Sequence, residues 1–183
     1  MILAFTGAGI SAASGVPTFA NQPGIRDILT RSYANEHPDV YQRTIDQMKA
    51  TCDNAKPNDA HYALAEHDIP IITMNIDELH QRAGSKHVLA IHGEFPDIVL
   101  YDDLAPRYAT ARDWVWHMDV GDTFLIVGTS FYTCISAQLK TMALRAGADV
   151  YIINDDAEHK VREFVEHCET KPSTFEAFMN RFS

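Results

Sequence analysis

Residues 2–19 read ILAFTGAGISAASGVPTF, and this stretch decides the fold of the chain. Its first part, residues 2–5, is an apolar run of the kind found in buried parallel strands. The glycine-rich residues that follow match the dinucleotide fingerprint G-x-G-x-x-G/A, with alanine in the last place. In that pattern Gly7 permits a tight turn and Gly9 lets backbone N–H groups approach a pyrophosphate, while Ala12 lets the next helix lie close to the sheet.

The glycine turn also predicts how a ligand is held. The N-terminus of the helix that follows is expected to point its free N–H groups at phosphates. Gly9→Val is expected to block ligand binding and leave the fold intact, because a valine Cβ would occupy the space of the pyrophosphate.

The fingerprint usually comes with an acidic ribose ligand about 20 residues further on. Asp27 has this spacing, but no strand leads into it. A bound dinucleotide would therefore have to be held differently from the dehydrogenase pattern. The alternative is a glycine-rich turn that binds no ligand.

Length and charge narrow the possible classes of protein. At 183 residues the chain is expected to form a single domain, residues 1–183. The net charge of −10, from 25 acidic and 15 basic residues, argues against nucleic-acid binding, which requires a basic face. No apolar run reaches the roughly 18 residues that a membrane span needs. No basic leader precedes an apolar segment, so the expected location is the cytoplasm, without membrane contact.

The cysteines and one serine are weak candidates for chemistry. Cys52, Cys134 and Cys168 lie far apart and form no C-x-x-C pair, so the sequence predicts no zinc site and no other metal site. Free thiols in a reducing compartment are the expected state. Ser11 could be taken for a nucleophile, but no base lies beside it in the sequence.

Strands and helices alternate along the chain, which predicts an α/β fold: a Rossmann-like, doubly wound parallel sheet of about six strands with a small helical insert. The insert is expected over about residues 20–56, with a break near Asn35–Pro38. Asn58 is a candidate N-cap of the next helix, and Ser173 with Glu176 is a candidate capping box of the last one. The apolar strands are expected at residues 2–5, 70–74, 88–91, 97–101, 123–127 and 150–153.

Every predicted strand ends in small or polar residues. Ligands collect beyond the carboxyl ends of the strands in such a sheet, so these residues are expected to form one site. Some polar residues are expected at these positions because each strand must leave the sheet into a loop. It does not explain a histidine, an Asn-x-Asp sequence and a Gly-Thr-Ser sequence at one edge. The strand ends are Thr6–Gly9, Asn75–Asp77, His92–Gly93, Tyr101–Asp103, Gly128–Ser130 and Asn154–Asp155.

Together and in this order, the motifs resemble those of the sirtuin family, the NAD-consuming protein deacylases. The resemblance covers roughly residues 2–168 and keeps the order of the family's blocks. It implies NAD as co-substrate and an acyl-lysine peptide or protein as a candidate partner. The matching blocks are Gly7–Pro17, Lys56–Leu64, Thr73–Ser85, His92–Gly93, Val127–Ser130 and Ile152–Asp155.

The resemblance also implies a role for each matching residue. Ile76 and Asp77 would hold the carboxamide of nicotinamide, and Asn75 would orient the ribose or a water. His92 would be the general base, because an imidazole near its unperturbed pKa of about 6.5 can take a proton from a ribose hydroxyl. The implied catalytic residues are His92, Asn75 and Asp77, and the implied cofactor-binding residues are Gly7, Ala8, Gly9, Ser14, Phe19, Asn75, Ile76, Asp77, Gly128, Thr129, Ser130, Asn154 and Asp155.

The chain departs from the family pattern at three places. The family's Pro-Asp-Phe-Arg is Pro17-Thr18-Phe19-Ala20 here, so the arginine that contacts the cofactor is missing, and Arg26 is its nearest substitute. The family's glutamine before the asparagine is Met74, which removes a hydrogen bond to the ribose. The four-cysteine zinc module that follows the His-Gly motif is absent, because only two residues separate that motif from Pro96–Asp102.

Three functions stay open on the sequence. The first is NAD-dependent removal of an acyl group from protein lysine. The second is NAD hydrolysis or another ADP-ribose transfer without a peptide substrate. The third is binding of NAD or ADP-ribose without catalysis. Asn75, Asp77 and His92 argue against the third, because binding alone needs no base, while the missing arginine and glutamine argue for it. The zinc module forms one wall of the acyl-peptide cleft in relatives, so NAD binding is better supported than deacylation.

Overall fold

A parallel sheet of five strands forms the centre of the structure, which is a computed structural model. The strand order β3-β2-β1-β4-β5 is that of a Rossmann-like doubly wound sheet, so the predicted fold class is confirmed, with five strands in place of about six. The strands are β1 (Ile2–Thr6), β2 (Ile71–Thr73), β3 (Val88–Ala90), β4 (Thr123–Val127) and β5 (Asp149–Ile153). The structure describes residues 1–18, 21–22, 24–131, 133–170 and 174–182.

Helices separate and follow these strands. A 3-10 helix, Ala8–Ser14, follows β1 directly, and a second one, Asn180–Phe182, lies near the end of the chain. The α-helices are α1 (Ile25–Ile28), α2 (Arg31–Glu36), α3 (Pro38–Asn54), α4 (Asp59–Glu66), α5 (Leu79–Arg82), α6 (Arg107–Trp116), α7 (Cys134–Ala146), α8 (Ala157–His167) and α9 (Phe175–Met179).

Both faces of the sheet are covered, as the alternation of side chains along a strand requires. On β1, Leu3 and Phe5 face one hydrophobic cluster, which is completed by α6, α7 and α9. Phe5 stacks there on Phe124 of β4, with 6.1 Å between ring centroids. Ala4 faces the opposite cluster, which α4 and α8 complete. The apolar runs of the sequence are therefore buried on both sides, as in other parallel sheets.

The predicted helical insert consists of α1, α2 and α3. The chain breaks at His37, between α2 and α3, which is where the sequence predicts a break. Asn58 caps α4 as predicted, because its side chain accepts the N–H of Ala60. Ser173 lies outside the described residues, and the N-cap of α9 is Thr174, whose side chain accepts the N–H of Ala177. That residues 1–183 form a single domain stays a prediction.

The strand predicted at residues 97–101 is wrong. This segment is irregular, and its backbone donors bond outside the sheet. The N–H of Val99 donates to the carbonyl of His92 at 2.7 Å, and the N–H of Tyr101 donates to the carbonyl of Leu29 at 3.0 Å. The segment thus joins the turn after β3 to the end of α1.

None of the helices in the described part of the chain is long and apolar enough to cross a membrane.

The ends of β1 and β4 touch at Gly9 and Gly128. The N–H of Gly9 donates to the carbonyl of Gly128 at 2.8 Å. A Cβ on Gly9 would lie 2.6 Å from the Cα of Gly128, and a Cβ on Gly128 would lie 2.6 Å from the Cα of Gly9. Gly9 therefore lets two backbones approach each other, and the prediction that Gly9→Val leaves the fold intact is wrong.

Gly128→Ala should destabilise the protein far more than Gly121→Ala. Both glycines have positive φ, +64° and +87°, but the position of a Cβ on Gly121 is open. Gly121→Ala should cost about 1 kcal/mol from backbone strain alone. Gly128→Ala should cost roughly 1–3 kcal/mol beyond that, because it overpacks two backbones. Denaturant unfolding of both variants measures the difference, and equal losses would contradict the close contact.

Candidate functional site

Residues after all five strands line one cavity of about 360 Å³. The cavity lies between β1 and β4, where the strand order reverses and where ligands bind in sheets of this kind. The predicted convergence at the strand ends is therefore present. The predicted site residues that line the cavity are Gly7, Ala8, Gly9, Asn75, Ile76, Asp77, His92, Gly128, Thr129, Ser130 and Asn154.

The glycine turn offers fewer free donors than the fingerprint suggests. The N–H of Gly7 donates to the carbonyl of Val127 at 2.9 Å, and the N–H of Gly9 is used by Gly128. The N–H of Thr129 donates to the side chain of Asn154 at 3.1 Å. Within the described chain, the backbone N–H groups of Ala8 and Ser130 have no such partner. These two groups remain as donors for an anionic ligand.

The element after the turn is a 3-10 helix of seven residues. Its contact with the core comes from Ile10 and Ser11, which are fully buried. Ala12 is exposed, so the prediction that it lets the helix lie close to the sheet is wrong. The packing residue lies earlier because a 3-10 helix has three residues per turn and presents a different face from an α-helix.

Asp77 is buried at the edge of the cavity and is held by two donors. The hydroxyl of Ser11 donates to its Oδ2 at 2.7 Å, and the N–H of Leu79 donates to its Oδ1 at 3.0 Å. Asn75 joins the same cluster, since its Nδ2 donates to Ser11 Oγ and to the carbonyl of Gly7, both at 3.2 Å. Burial raises the pKa of Asp77, although the hydrogen bond from Ser11 lowers it.

His92 lies two residues after β3 and is half-buried. Burial lowers its pKa below the ordinary value of 6.5, although an interaction with the backbone of Val99 opposes the shift. Its ring faces Tyr101 at a tilt, with 6.1 Å between ring centroids. The imidazole is therefore neutral at neutral pH and able to accept a proton.

The helical insert supplies the wall opposite the sheet. Leu29, Met48 and Cys52 give this wall an apolar surface, and burial raises the pKa of the Cys52 thiol to about 11. Arg26 brings a positive charge to the cavity and forms a hydrogen bond with Tyr101. The nearest substitute for the missing family arginine thus does reach the cavity.

The segment after His92 is tied to this insert. The carboxylate of Asp102 accepts the N–H groups of Arg31 and Ser32 at the start of α2. The Arg31 guanidinium also pairs with Asp103 at 2.7 Å. These contacts hold the end of the segment that follows His92 against the insert, directly after Tyr101, which lines the cavity.

The chain matches known proteins along most of its length. A model of the Sir2 family matches residues 7–98. NAD-dependent protein deacetylase 1 of Pyrobaculum aerophilum is 30% identical over 200 residues, which covers 84% of this chain and 78% of that protein. The chain belongs to the Sir2, or sirtuin, family. NAD-dependent protein deacylase 2 of Archaeoglobus fulgidus is 32% identical over 199 residues, covering 82% and 78% of the two chains.

A solved structure of a Sir2 homolog in complex with NAD shares the fold. It superposes with a TM-score of 0.83 at 23% identity and covers 91% of this chain and 88% of that one. The sequence alignments also show a difference from other Sir2 proteins. An alignment of 200 residues that covers 84% of a chain of 183 is longer than the part it covers, so the relative contains residues that this chain lacks.

Two predicted site residues do not line the cavity, and a third lies outside the described residues. Ser14 accepts a hydrogen bond from Asn58 at 3.1 Å and does not line the cavity. Asp155 pairs with Lys160 at 2.8 Å, and its side chain points to solvent with 88% exposed. Phe19 lies outside the described residues, as does Ala20. For Ser14 and Asp155, a match to a family block therefore does not place the side chain at the site.

The sequence reasoning missed a histidine beside Ser11. Nε2 of His61 lies 3.4 Å from Ser11 Oγ, although the two residues are far apart in the chain. His61 fits the helical spacing of a core residue, and only its polar type among buried neighbours could have signalled a role. No group of three His, Cys, Asp or Glu side chains in the described ranges could hold a metal ion.

Asp77→Asn should stabilise the protein at neutral pH. The native state holds the Asp77 proton more tightly than the unfolded chain, so its contribution to stability falls as pH rises from the ordinary pKa to the raised one. An asparagine removes the buried charge, and its amide can donate to Ser11. Thermal melts should give a higher Tm for the variant at pH 7 and no gain at acid pH. A loss of Tm that does not change with pH would contradict this.

Proposed function

We propose that this protein is an NAD-dependent protein deacylase that releases nicotinamide. The observation that carries the proposal is the meeting of Asn75, Asp77 and His92 in the cavity that the Gly7–Gly9 turn also lines. A pure binding protein needs the turn but has no need of a neutral imidazole beside it. The names of the relatives support the same reading, since they are an NAD-dependent protein deacetylase and a deacylase.

The residues of the cavity fit NAD. The unpartnered N–H groups of Ala8 and Ser130 and the charge of Arg26 suit the pyrophosphate. Asp77, with Ile76 beside it, would hold the carboxamide of nicotinamide, because a carboxylate accepts amide N–H groups. The adenosine half of NAD would be held by four further residues of the cavity: Gly128, Thr129, Ser130 and Asn154.

NAD would supply an activated ribose carbon and a nicotinamide leaving group. Asp77 would orient the carboxamide through its two oxygens, which Ser11 and Leu79 hold in place. Asn75 would position a ribose hydroxyl or a water, because its amide is fixed by Gly7 and Ser11. His92 would then take a proton at its imidazole, which its lowered pKa keeps neutral. The apolar wall would limit the access of water to these groups once NAD is bound.

NAD hydrolysis without a peptide is the second candidate, and Met74 favours it. The methionine lines the cavity where the family has a glutamine, and its sulfur accepts the hydroxyl of Thr133 at 3.7 Å. A ribose hydrogen bond is thereby lost, which weakens control over the ribose. Incubation with NAD, with and without an acetyl-lysine peptide, decides between the two. Release of free nicotinamide that depends on the peptide supports the deacylase, and release without it supports the hydrolase.

We also propose that the protein works without zinc and in the cytoplasm. The three cysteines are free thiols at separate places in the fold, with Cys52 buried and Cys134 exposed. Free thiols are usual in a reducing compartment. Metal analysis that finds stoichiometric zinc in the purified protein would overturn the first part.

His92→Ala should lower peptide-dependent nicotinamide release by about 10²- to 10⁴-fold, because it removes the general base. Affinity for NAD should change little, since the proposed phosphate donors are backbone groups. His159→Ala, which removes an exposed histidine of α8, serves as the matched control and should keep full activity. Near-normal release by His92→Ala would refute the assignment.

The pH profile of the wild-type enzyme provides an independent check. The pKa of His92 is lowered by burial, so the base form persists below pH 6.5. Activity should therefore hold from neutral pH to below 6.5 and fall only as the imidazole is protonated. The residual activity of His92→Ala should not show this fall at acid pH. A wild-type activity that already falls well above pH 6.5 would contradict the assignment.

A further inference from the structure

A second cavity, of about 280 Å³, lies next to the first one, the cavity between β1 and β4. Its volume is close to the roughly 300 Å³ at which small-molecule sites begin. Cys52, Ile76 and Asp77 line both cavities, so the wall between the two is a single layer of side chains at these residues. Cys52 and Asp77 are buried in that wall. The two cavities are therefore neighbours across three shared residues.

The second cavity opens to solvent between charged side chains of α3. Lys49 Nζ pairs with Asp53 Oδ2 at 2.6 Å, and the two side chains are 50% and 61% exposed. Glu78 and Arg82 line the same cavity. This polar lining suits a small amide, because the charged groups and water at the mouth can satisfy its donors and its acceptor.

The end of α3 is fixed beside this cavity, while one residue of the shared wall is small and uncharged. The Arg82 guanidinium donates to the carbonyls of Cys52 and Ala55, which ties α5 to the end of α3. Burial raises the pKa of the Cys52 thiol to about 11, and the nearby charges of Asp77 and Asp53 add to the shift. The thiol is therefore neutral at physiological pH and behaves as a small hydrophobic side chain.

The proposed reaction frees nicotinamide at this wall. When the ribose carbon forms a bond to the acyl oxygen, its bond to the nicotinamide nitrogen breaks. The electron pair of that bond returns to the nitrogen, so nicotinamide leaves as a neutral molecule. Asp77 and Ile76, which would hold its carboxamide, face both cavities. The rest of the co-substrate and the acyl group still occupy the first cavity, so the leaving group needs a path that does not cross them.

We propose that the second cavity is the passage through which nicotinamide leaves and re-enters the site while the ADP-ribose part stays bound. The inference rests on the proposed function, because it takes nicotinamide as the group held at Asp77. Passage requires the side chains of Cys52 and Ile76 to turn aside, while Arg82 keeps the backbone at the end of α3 in place. A passage sets the rates of binding and release together, so obstructing it leaves the affinity unchanged.

Asp53→Trp places a large side chain at the mouth of the passage and tests it directly. Fluorine NMR line shapes of a fluorinated nicotinamide would give its association and dissociation rates on protein saturated with ADP-ribose. Both rates should fall by about ten-fold or more in the variant, because the barrier to passage rises in both directions. The Kd of the probe should stay the same. Without ADP-ribose the first cavity offers an open route, so the variant and wild-type rates should then agree.

Two matched variants separate obstruction from other effects. Asp53→Ala removes the same carboxylate without adding bulk and should keep the wild-type rates. Gln47→Trp adds the same bulk at an exposed position of α3 that lines neither cavity, and it should also keep them. Equal rates for Asp53→Trp and Gln47→Trp in the ADP-ribose complex would overturn the inference, as would slower association explained by a weaker Kd.

Failure of the proposed function gives a different result. Wild-type protein would then bind no ADP-ribose, or its ADP-ribose complex would not bind the nicotinamide probe, and the inference would fall with it. If wild-type protein binds both and only the passage is wrong, the probe exchanges at the same rate in wild-type protein and in Asp53→Trp.

Discussion

The backbone contact between Gly9 and Gly128 sets the geometry of the whole site. It joins the end of β1 to the end of β4, the two strands between which the sheet order reverses. Neither residue has room for a Cβ, so the contact exists only because both are glycine. It also consumes the N–H that the fingerprint would assign to a phosphate, which leaves Ala8 and Ser130 as the donors. Both turns line the cavity, so this contact fixes the relative position of two of its sides.

A buried polar cluster behind the cavity places the chemical groups. Asp77 is costly to bury, and its raised pKa records that cost. Ser11 offsets part of the cost, and Asn75 and His61 meet the same hydroxyl. Such a cluster favours binding over stability, which is common where a site must hold a polar ligand. On the other side, Arg31 ties the segment after His92 to the helical insert, so both walls of the cavity are fixed by polar contacts.

Much of the fold and part of the site could be predicted from the sequence. Apolar runs identify parallel strands because both faces of such a sheet are buried, and ordered motifs identify the strand ends. The segment 97–101 was apolar enough to suggest a strand, but its partners, His92 and Leu29, depend on tertiary contacts that no local pattern encodes. The roles of Gly9 and Ala12 were misassigned for the same reason, since the opposing turn and the 3-10 geometry are not visible locally. His61 could not be found because its partner is distant in the chain.

The central claim is that the cavity between β1 and β4 is an NAD site in which phosphates meet backbone donors and the carboxamide meets Asp77. A crystal structure of the protein in complex with NAD tests this most directly. The account predicts pyrophosphate oxygens within hydrogen-bonding distance of the N–H groups of Ala8 and Ser130, the carboxamide at Asp77, and the ribose beside His92. Density for NAD elsewhere, or a nicotinamide turned away from Asp77, would contradict it.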